Sequence, residues 1–361
     1  MKVFLSWSGS RSEAVARALR SWLPDVLQAV EPWFSSSDIQ AGARWASELE
    51  LQLQESRVGI ICLTPENLTA PWVLFEAGAL SKSLGSAYVC PYLFGFSPSE
   101  LHGPLVQFQA ITATRDGTKM LLRTLNRALG ENAIQEERLE RVFNRWWPDL
   151  ERAFETIAAA PTGEAKASEE GEPLQKLLKE IGRTPPDDLV EKLQEVIVAL
   201  SGQPSAKKPL ASAPRERVFI IHGHNRELRE TIARFVERLG PVVIILDEQP
   251  SSGRTIIEKF ESYSDVHYAV ALMTADDVGS GRAAKEEPKL RARQNVVFEL
   301  GFFTAKLGRS RLAVLYEEGV EMPSDFSGIL YISLDKAGAW KFRLAQELKQ
   351  AGLQINLNNA L

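Results

Sequence analysis

The sequence predicts a tandem α/β protein, with two domains each built on a parallel sheet covered by helices on both faces. Three observations carry this reading. Short β-rich runs alternate with helical patterns, and that alternation requires crossovers between parallel strands. The same order of elements occurs twice along the chain. Between the copies, residues 160–214 hold seven of the nineteen prolines and have the composition of a linker. The expected boundaries are 1–158 for the first domain, 159–214 for the linker and 215–361 for the second domain.

The first copy opens VFLSWSGSRSEAVARALRSWL and the second VFIIHGHNRELRETIARFVERL. Each is an apolar strand, a polar turn with glycine, then a helix. Val15, Leu19 and Trp22 share one helix face, as do Leu228, Ile232, Phe235, Val236 and Leu239. Second strands follow near Val30–Phe34 and in VVIILDEQPSSGRTI, then helices over Glu48–Gln54 and Ile256–Tyr263. Third strands are VGIICLT at 58–64 and YAVALMT at 268–274. Fourth strands are YVCPYLF at 88–94 and RLAVLYE at 311–317, and the second copy adds ILYIS at 329–333. SGRAAKEEPKLRARQ (280–294) reads as a polar loop before the second glutamate helix, a mobile surface loop with a flexible lid as the alternative, where Arg291 or Arg293 can meet a phosphate. Inside the linker, Leu189, Leu193, Val196, Ile197 and Leu200 recur at helical spacing behind Pro185-Pro186-Asp187-Asp188, which suits a short amphipathic helix. Trp22 and Trp33 read as core, and Trp146-Trp147 as packing the last helix of the first domain.

Between the third and fourth strands lie two apolar segments, WVLFEAGAL and NVVFELGFF, each carrying one carboxylate, Glu76 and Glu299. A lone acid in an apolar helix is costly unless it sits at a rim or serves chemistry. Its recurrence at the same place in both copies argues for chemistry. Open α/β sheets bind ligands at the carboxyl ends of their strands. Ser6-Trp7-Ser8 and His222-Gly223-His224 follow the first strands and lie at that edge, where the glutamate helices also begin.

Composition narrows the function classes. The 361 residues carry a net charge of −5, which argues against nucleic acid as the default partner. Cys62 and Cys90 lie inside apolar strands and read as buried reduced thiols. The N-terminal apolar run is too short for a signal peptide, and no run approaches a membrane span, so a cytosolic protein is expected. His222 and His224 lack a third ligand at a recognisable spacing, so no metal is expected. The chain holds no Walker loop and no GxGxxG, which disfavours NAD as a hydride-carrying cofactor.

With these motifs in order, the first block resembles a bacterial TIR domain. The resemblance rests on VFLSWS, on the loop with Asp38, Ala41-Gly42 and Trp45, on ICLTPENL, and above all on Trp72-x-x-x-Glu76. The second block is similar to the TIR-like family of bacterial TIR–STING effectors through VFIIHGHN, SSGRTIIEKFE, LMTADD and RARQNVVFELGFFTAKLGRSRLAVLYEEG. It departs from the ordinary pattern in having Asn295 where the first block has Trp72. The resemblance implies a flavodoxin-like sheet of about five parallel strands in each domain. It also implies cleavage of NAD⁺, as substrate rather than cofactor, at the nicotinamide–ribose bond by Glu76 and Glu299. The substrate-binding candidates it marks are Ser6, Ser8, Asp38, Gly42, Trp45 and Trp72 in the first block, and His222, Gly223, Gly253, Arg254, Asp277 and Asn295 in the second. Family members commonly act in antiphage defence after self-assembly through TIR–TIR contacts, which implies a homo-oligomer and leaves room for a nucleotide activator. The alternative is a scaffold or nucleotide-sensing protein with one or both domains non-catalytic. Tandem duplication suits a division of labour between the copies.

One glutamate suffices for the implied chemistry. Nicotinamide departs neutral from a cationic ring and needs little acid assistance. The ribosyl carbon passes through an oxocarbenium-like state that a single carboxylate can stabilise or trap.

Overall fold

The computed structural model describes residues 1–34, 55–82, 88–160, 216–249, 256–279, 289–321 and 329–360. The expected helix over Glu48–Gln54 and the linker helix lie outside the described residues, as do Asp38, Gly42, Trp45, Gly253 and Arg254.

The first block runs β1 (Lys2–Ser6), α1 (Ser10–Val26), β2 (Glu31–Phe34), β3 (Val58–Leu63), α2 (Pro71–Leu80), β4 (Tyr88–Leu93), β5 (Ile111–Thr112), α3 (Arg115–Ala128) and α4 (Glu136–Ala159). The second runs β6 (Arg217–Ile221), α5 (Arg226–Leu239), β7 (Val242–Ile245), α6 (Ile256–Tyr263), β8 (Tyr268–Met273), β9 (Asp277–Gly279), β10 (Lys289–Arg291), α7 (Gln294–Leu307), β11 (Leu312–Tyr316), β12 (Leu330–Ser333) and α8 (Ala339–Gln350). Each block forms a five-stranded parallel sheet, ordered β2-β1-β3-β4-β5 and β7-β6-β8-β11-β12. Both are the doubly wound order of flavodoxin-like folds, 2-1-3-4-5. The polar loop expected at 280–294 needs one correction. Residues 289–291 form β10, which pairs antiparallel with β9 in a two-stranded ribbon. Alternate residues Lys289 and Arg291 are polar, a pattern too short to read as a strand without its partner.

Successive strand residues point to opposite faces, and here the two faces have different destinations. Val3 and Leu5 of β1 face a core closed by α1, α3 and α4, together with Ile60 and Cys62 of β3. Trp22 and Trp147 are buried in it, and the Trp22 indole donates to the Trp146 carbonyl at 2.7 Å, tying α1 to α4. Val218 and Ile220 of β6 face an equivalent core beneath α5 and α8. The opposite faces meet in one shared core. Phe4, Ile61 and Leu63 of the first sheet, and Phe219, Ile221 and Met273 of the second, all contribute to it.

The middle of that shared core is formed by α2 and α7, which pack directly on each other. Val73–Leu80 of α2 is buried throughout, as expected for a helix apolar on every side. The crossing is reciprocal. A Cβ built on Gly78 would lie 1.9 Å from the Phe298 carbonyl oxygen, and one on Gly301 would lie 2.0 Å from the Phe75 carbonyl oxygen. In the aligned copies Phe75 corresponds to Phe298 and Gly78 to Gly301. The contact is thus nearly symmetric, with each helix presenting a glycine to the other's backbone. Glycine is required at both places because the backbones leave no room for a side chain.

Candidate active site

The two glutamates stand at corresponding places on α2 and α7 but in different surroundings. Glu76 is fully buried, and both of its carboxylate oxygens are shielded from solvent. Trp72, one turn earlier, is partly exposed and stacks on Phe75 with ring centroids 5.9 Å apart. Glu299 is half-buried and opens onto a cavity of about 470 Å³, a volume suited to a small ligand.

The cavity is lined from both blocks. The second contributes Glu299, Asn295 and Arg293 from the start of α7, with Phe298 and Phe260 as apolar wall. The first contributes Pro104, Val106 and Gln107 from a 3₁₀ turn over Gly103–Gln107. Gly103 has φ +75°, and a side chain there would meet the Gln294 amide oxygen at 2.2 Å. The turn is therefore pressed against the first residue of α7.

Burial among these apolar groups pushes the Glu299 carboxyl up to about 8. The negative charge of Asp247 raises it further, and Arg293 pulls it back. The site thus holds a carboxyl that titrates near neutrality, beside a fixed cation. Asp247 also lies 3.6 Å from His222 Nε2, and His222 Nδ1 donates to the Gly223 carbonyl at 2.8 Å. Asp247→Asn is expected to move the pH dependence of any Glu299-dependent reaction to lower pH, because it removes a charge that opposes ionisation. A pH–rate profile of kcat/KM checks this.

The other candidates are dispersed. Asn295 shares the Glu299 cavity. Asp277 lines a second cavity of about 300 Å³, with Arg291 and Glu321, against Thr69, Pro71 and Leu74 of the first block. Arg291 is bonded there to Glu321. Ser6 is buried at the end of β1, and the backbone of Ser8 is engaged with the Ser12 hydroxyl at the start of α1. The 103–107 turn, Phe260 and Asp247 also belong to the surroundings of Glu299, although no sequence pattern marks them as site residues. The turn follows the fourth strand and carries no charged side chain, so nothing in its sequence marked it.

Comparison with known proteins bears on both blocks. Residues 3–125 match the family described as TIR domain, and residues 217–336 match the one described as CAP12/Pycsar effector protein, TIR domain. Protein tirC of Dictyostelium discoideum is 32% identical over 155 residues, which cover 40% of this chain and 72% of tirC. The chain belongs to the TIR-domain family. It carries two TIR domains in tandem, the second of the CAP12/Pycsar effector type. Uncharacterized protein YuaY of Escherichia coli (strain K12) is 46% identical to this TIR protein over 160 residues, 44% of the chain and 52% of YuaY. Pycsar effector protein BcPycTIR of Burkholderia cepacia is 48% identical over 68 residues, 18% of the chain and 21% of BcPycTIR. The chain therefore spans about half the length of YuaY and about a fifth of BcPycTIR. Among solved structures, the TIR domains of the activated Roq1 resistosome cover 50% of this chain and 98% of their own at 15% identity and a TM-score of 0.24. The TIR assignment rests on the two family matches, and the strand order of both sheets agrees with it.

Proposed function

We propose that this tandem TIR protein cleaves NAD⁺ at the nicotinamide–ribose bond and that Glu299 of the second TIR domain is the working carboxylate. The observation that carries this reading is the cavity: Glu299 opens onto a ligand-sized space with Arg293 and Asn295, whereas Glu76 is fully buried and lines neither of the two cavities described. In the reaction, the bond from ribosyl C1 to the pyridinium nitrogen breaks and its electron pair leaves with neutral nicotinamide. C1 becomes oxocarbenium-like and is captured by water, which releases a proton. The Glu299 carboxylate stabilises the cationic carbon, and its apolar walls strengthen that field. Asn295, one turn earlier on α7 and lining the same cavity, bonds a ribose hydroxyl in this reading. Arg293, at the N-terminus of the same helix, suits a phosphate.

The first TIR domain acts in this reading as a structural partner that closes the site. This reading sets the reaction in antiphage defence inside the cell, with assembly through TIR–TIR contacts and a nucleotide signal as the activating step; similarity to chains named as Pycsar effectors supports it. No helix among the described residues is long and apolar enough to cross a membrane.

The test follows nicotinamide release from NAD⁺ by the full chain, by Glu76→Gln, by Glu299→Gln and by the double variant, at concentrations that permit assembly and with candidate cyclic nucleotides. Release lost with Glu299→Gln and retained with Glu76→Gln is expected. Equal release by the unaltered chain and the double variant would overturn the glutamate assignment. No release under any condition would favour a scaffold.

A further inference from the structure

We infer that Gln107, from the first TIR domain, is a specificity residue of the second domain's site and reads the carboxamide of the nicotinamide end of the substrate. The inference rests on the NAD⁺ reading above and adds which group is recognised and by which domain. Gln107 lines the Glu299 cavity on the part of its wall that the first domain contributes. Its Oε1 is buried and has no hydrogen-bond partner among the described residues. An amide oxygen left in that state gains a hydrogen bond when the side chain turns toward a ligand in the cavity.

The residue is also held in place. Leu101 and Leu105 are buried in the shared core on one side of it. On the other, Phe108 packs on Phe298, one residue before Glu299, with ring centroids 6.2 Å apart. Gly103 fixes the start of the turn against Gln294.

The polar groups of the cavity divide by chemistry. Glu299 and Arg293 are charged and suit a developing cation and a phosphate. Asn295 stands on the same helix as Glu299 and so beside the sugar. Gln107 is the polar side chain in the wall contributed by the first domain, whose other side chains there are those of Pro104 and Val106. A primary amide offers one acceptor and two donors on a plane, which matches a carboxamide held against apolar surfaces.

Nicotinic acid adenine dinucleotide carries a carboxylate where NAD⁺ has the carboxamide, and is otherwise the same. The unaltered chain is expected to prefer NAD⁺ in kcat/KM by at least about tenfold, since a site built to bond an N–H rejects the analogue that lacks it. Gln107→Leu is expected to bring that ratio close to one. Gln107→Glu is expected to widen it, because a carboxylate accepts from the carboxamide and repels the acid. A merely loosened wall would not move the ratio in opposite directions. An unchanged ratio in both variants overturns the assignment. Binding of the two dinucleotides to Glu299→Gln, measured by titration calorimetry, gives a readout free of turnover. Discrimination that survives Gln107→Leu in that background, or binding of neither dinucleotide, also overturns it. Discrimination that depends on Gln107 in a chain that releases no nicotinamide would sink the cleavage reading and leave this assignment standing.

Discussion

Glu299→Gln is expected to slow nicotinamide release by at least about a thousandfold, because the amide keeps the shape of the carboxylate and removes the charge that faces the oxocarbenium carbon. The pH dependence makes the prediction specific. The free carboxyl titrates at about 8, so kcat/KM for the unaltered chain should rise with pH through that value and level off above it. The bound substrate carries a positive ring, which favours the ionised carboxylate, so the rising limb of kcat should lie at lower pH than that of kcat/KM. A profile that is flat across neutrality would count against Glu299.

The same variant should be more stable than the unaltered chain at alkaline pH. The folded carboxyl is raised from 4.5 to about 8, so between those values the folded state holds a proton that the unfolded state has lost. Stability therefore falls as pH rises across that window, and the full penalty is present above it. Glutamine carries no such penalty. Contact with solvent through the cavity reduces the effect, and a gain of about 2 kcal/mol is expected above the window, vanishing at acid pH. Denaturant unfolding of both proteins at acid and alkaline pH measures it.

Gly78→Ala and Gly301→Ala should each destabilise the chain by about 2–4 kcal/mol. The obstructing atoms are main-chain carbonyls, 1.9 and 2.0 Å from the new methyl groups, and a carbonyl in a helix cannot rotate aside. The two helices must separate instead, which opens the shared core. Because one separation relieves both clashes, the double variant should cost less than the sum of the singles. Separation also draws the 103–107 turn away from Glu299, so activity should fall along with stability. Gly319→Ala provides the comparison. Its φ of +86° disfavours a side chain but nothing stands within 4 Å, so a loss of only about 1 kcal/mol is expected. Equal losses at all three positions would show that the crossing is not as tight as described.

Much of this molecule was legible in its sequence. Alternation of strand and helix marked the parallel sheets, and repetition marked the second copy. Glu76 and Glu299 stood out because an acid in an apolar helix has an energetic cost wherever it occurs. A buried helix that is apolar on all sides, such as WVLFEAGAL, announces its burial but not what buries it. Any apolar surface would serve equally well. Only the packed structure shows that α2 and α7 cover each other, that Gly78 and Gly301 permit it, and that the inner faces of the two sheets share one core. The difference between the glutamates has the same origin. Residue type and spacing are alike in the two copies, while exposure and charge at Glu299 depend on Asp247, Arg293 and a turn from the first domain, separated from it along the chain by the linker. Local patterns determined the two domains and their candidate acids. Contacts between residues distant in sequence decided which acid faces a cavity, because burial and electrostatics are set by whatever the fold brings within a few ångströms.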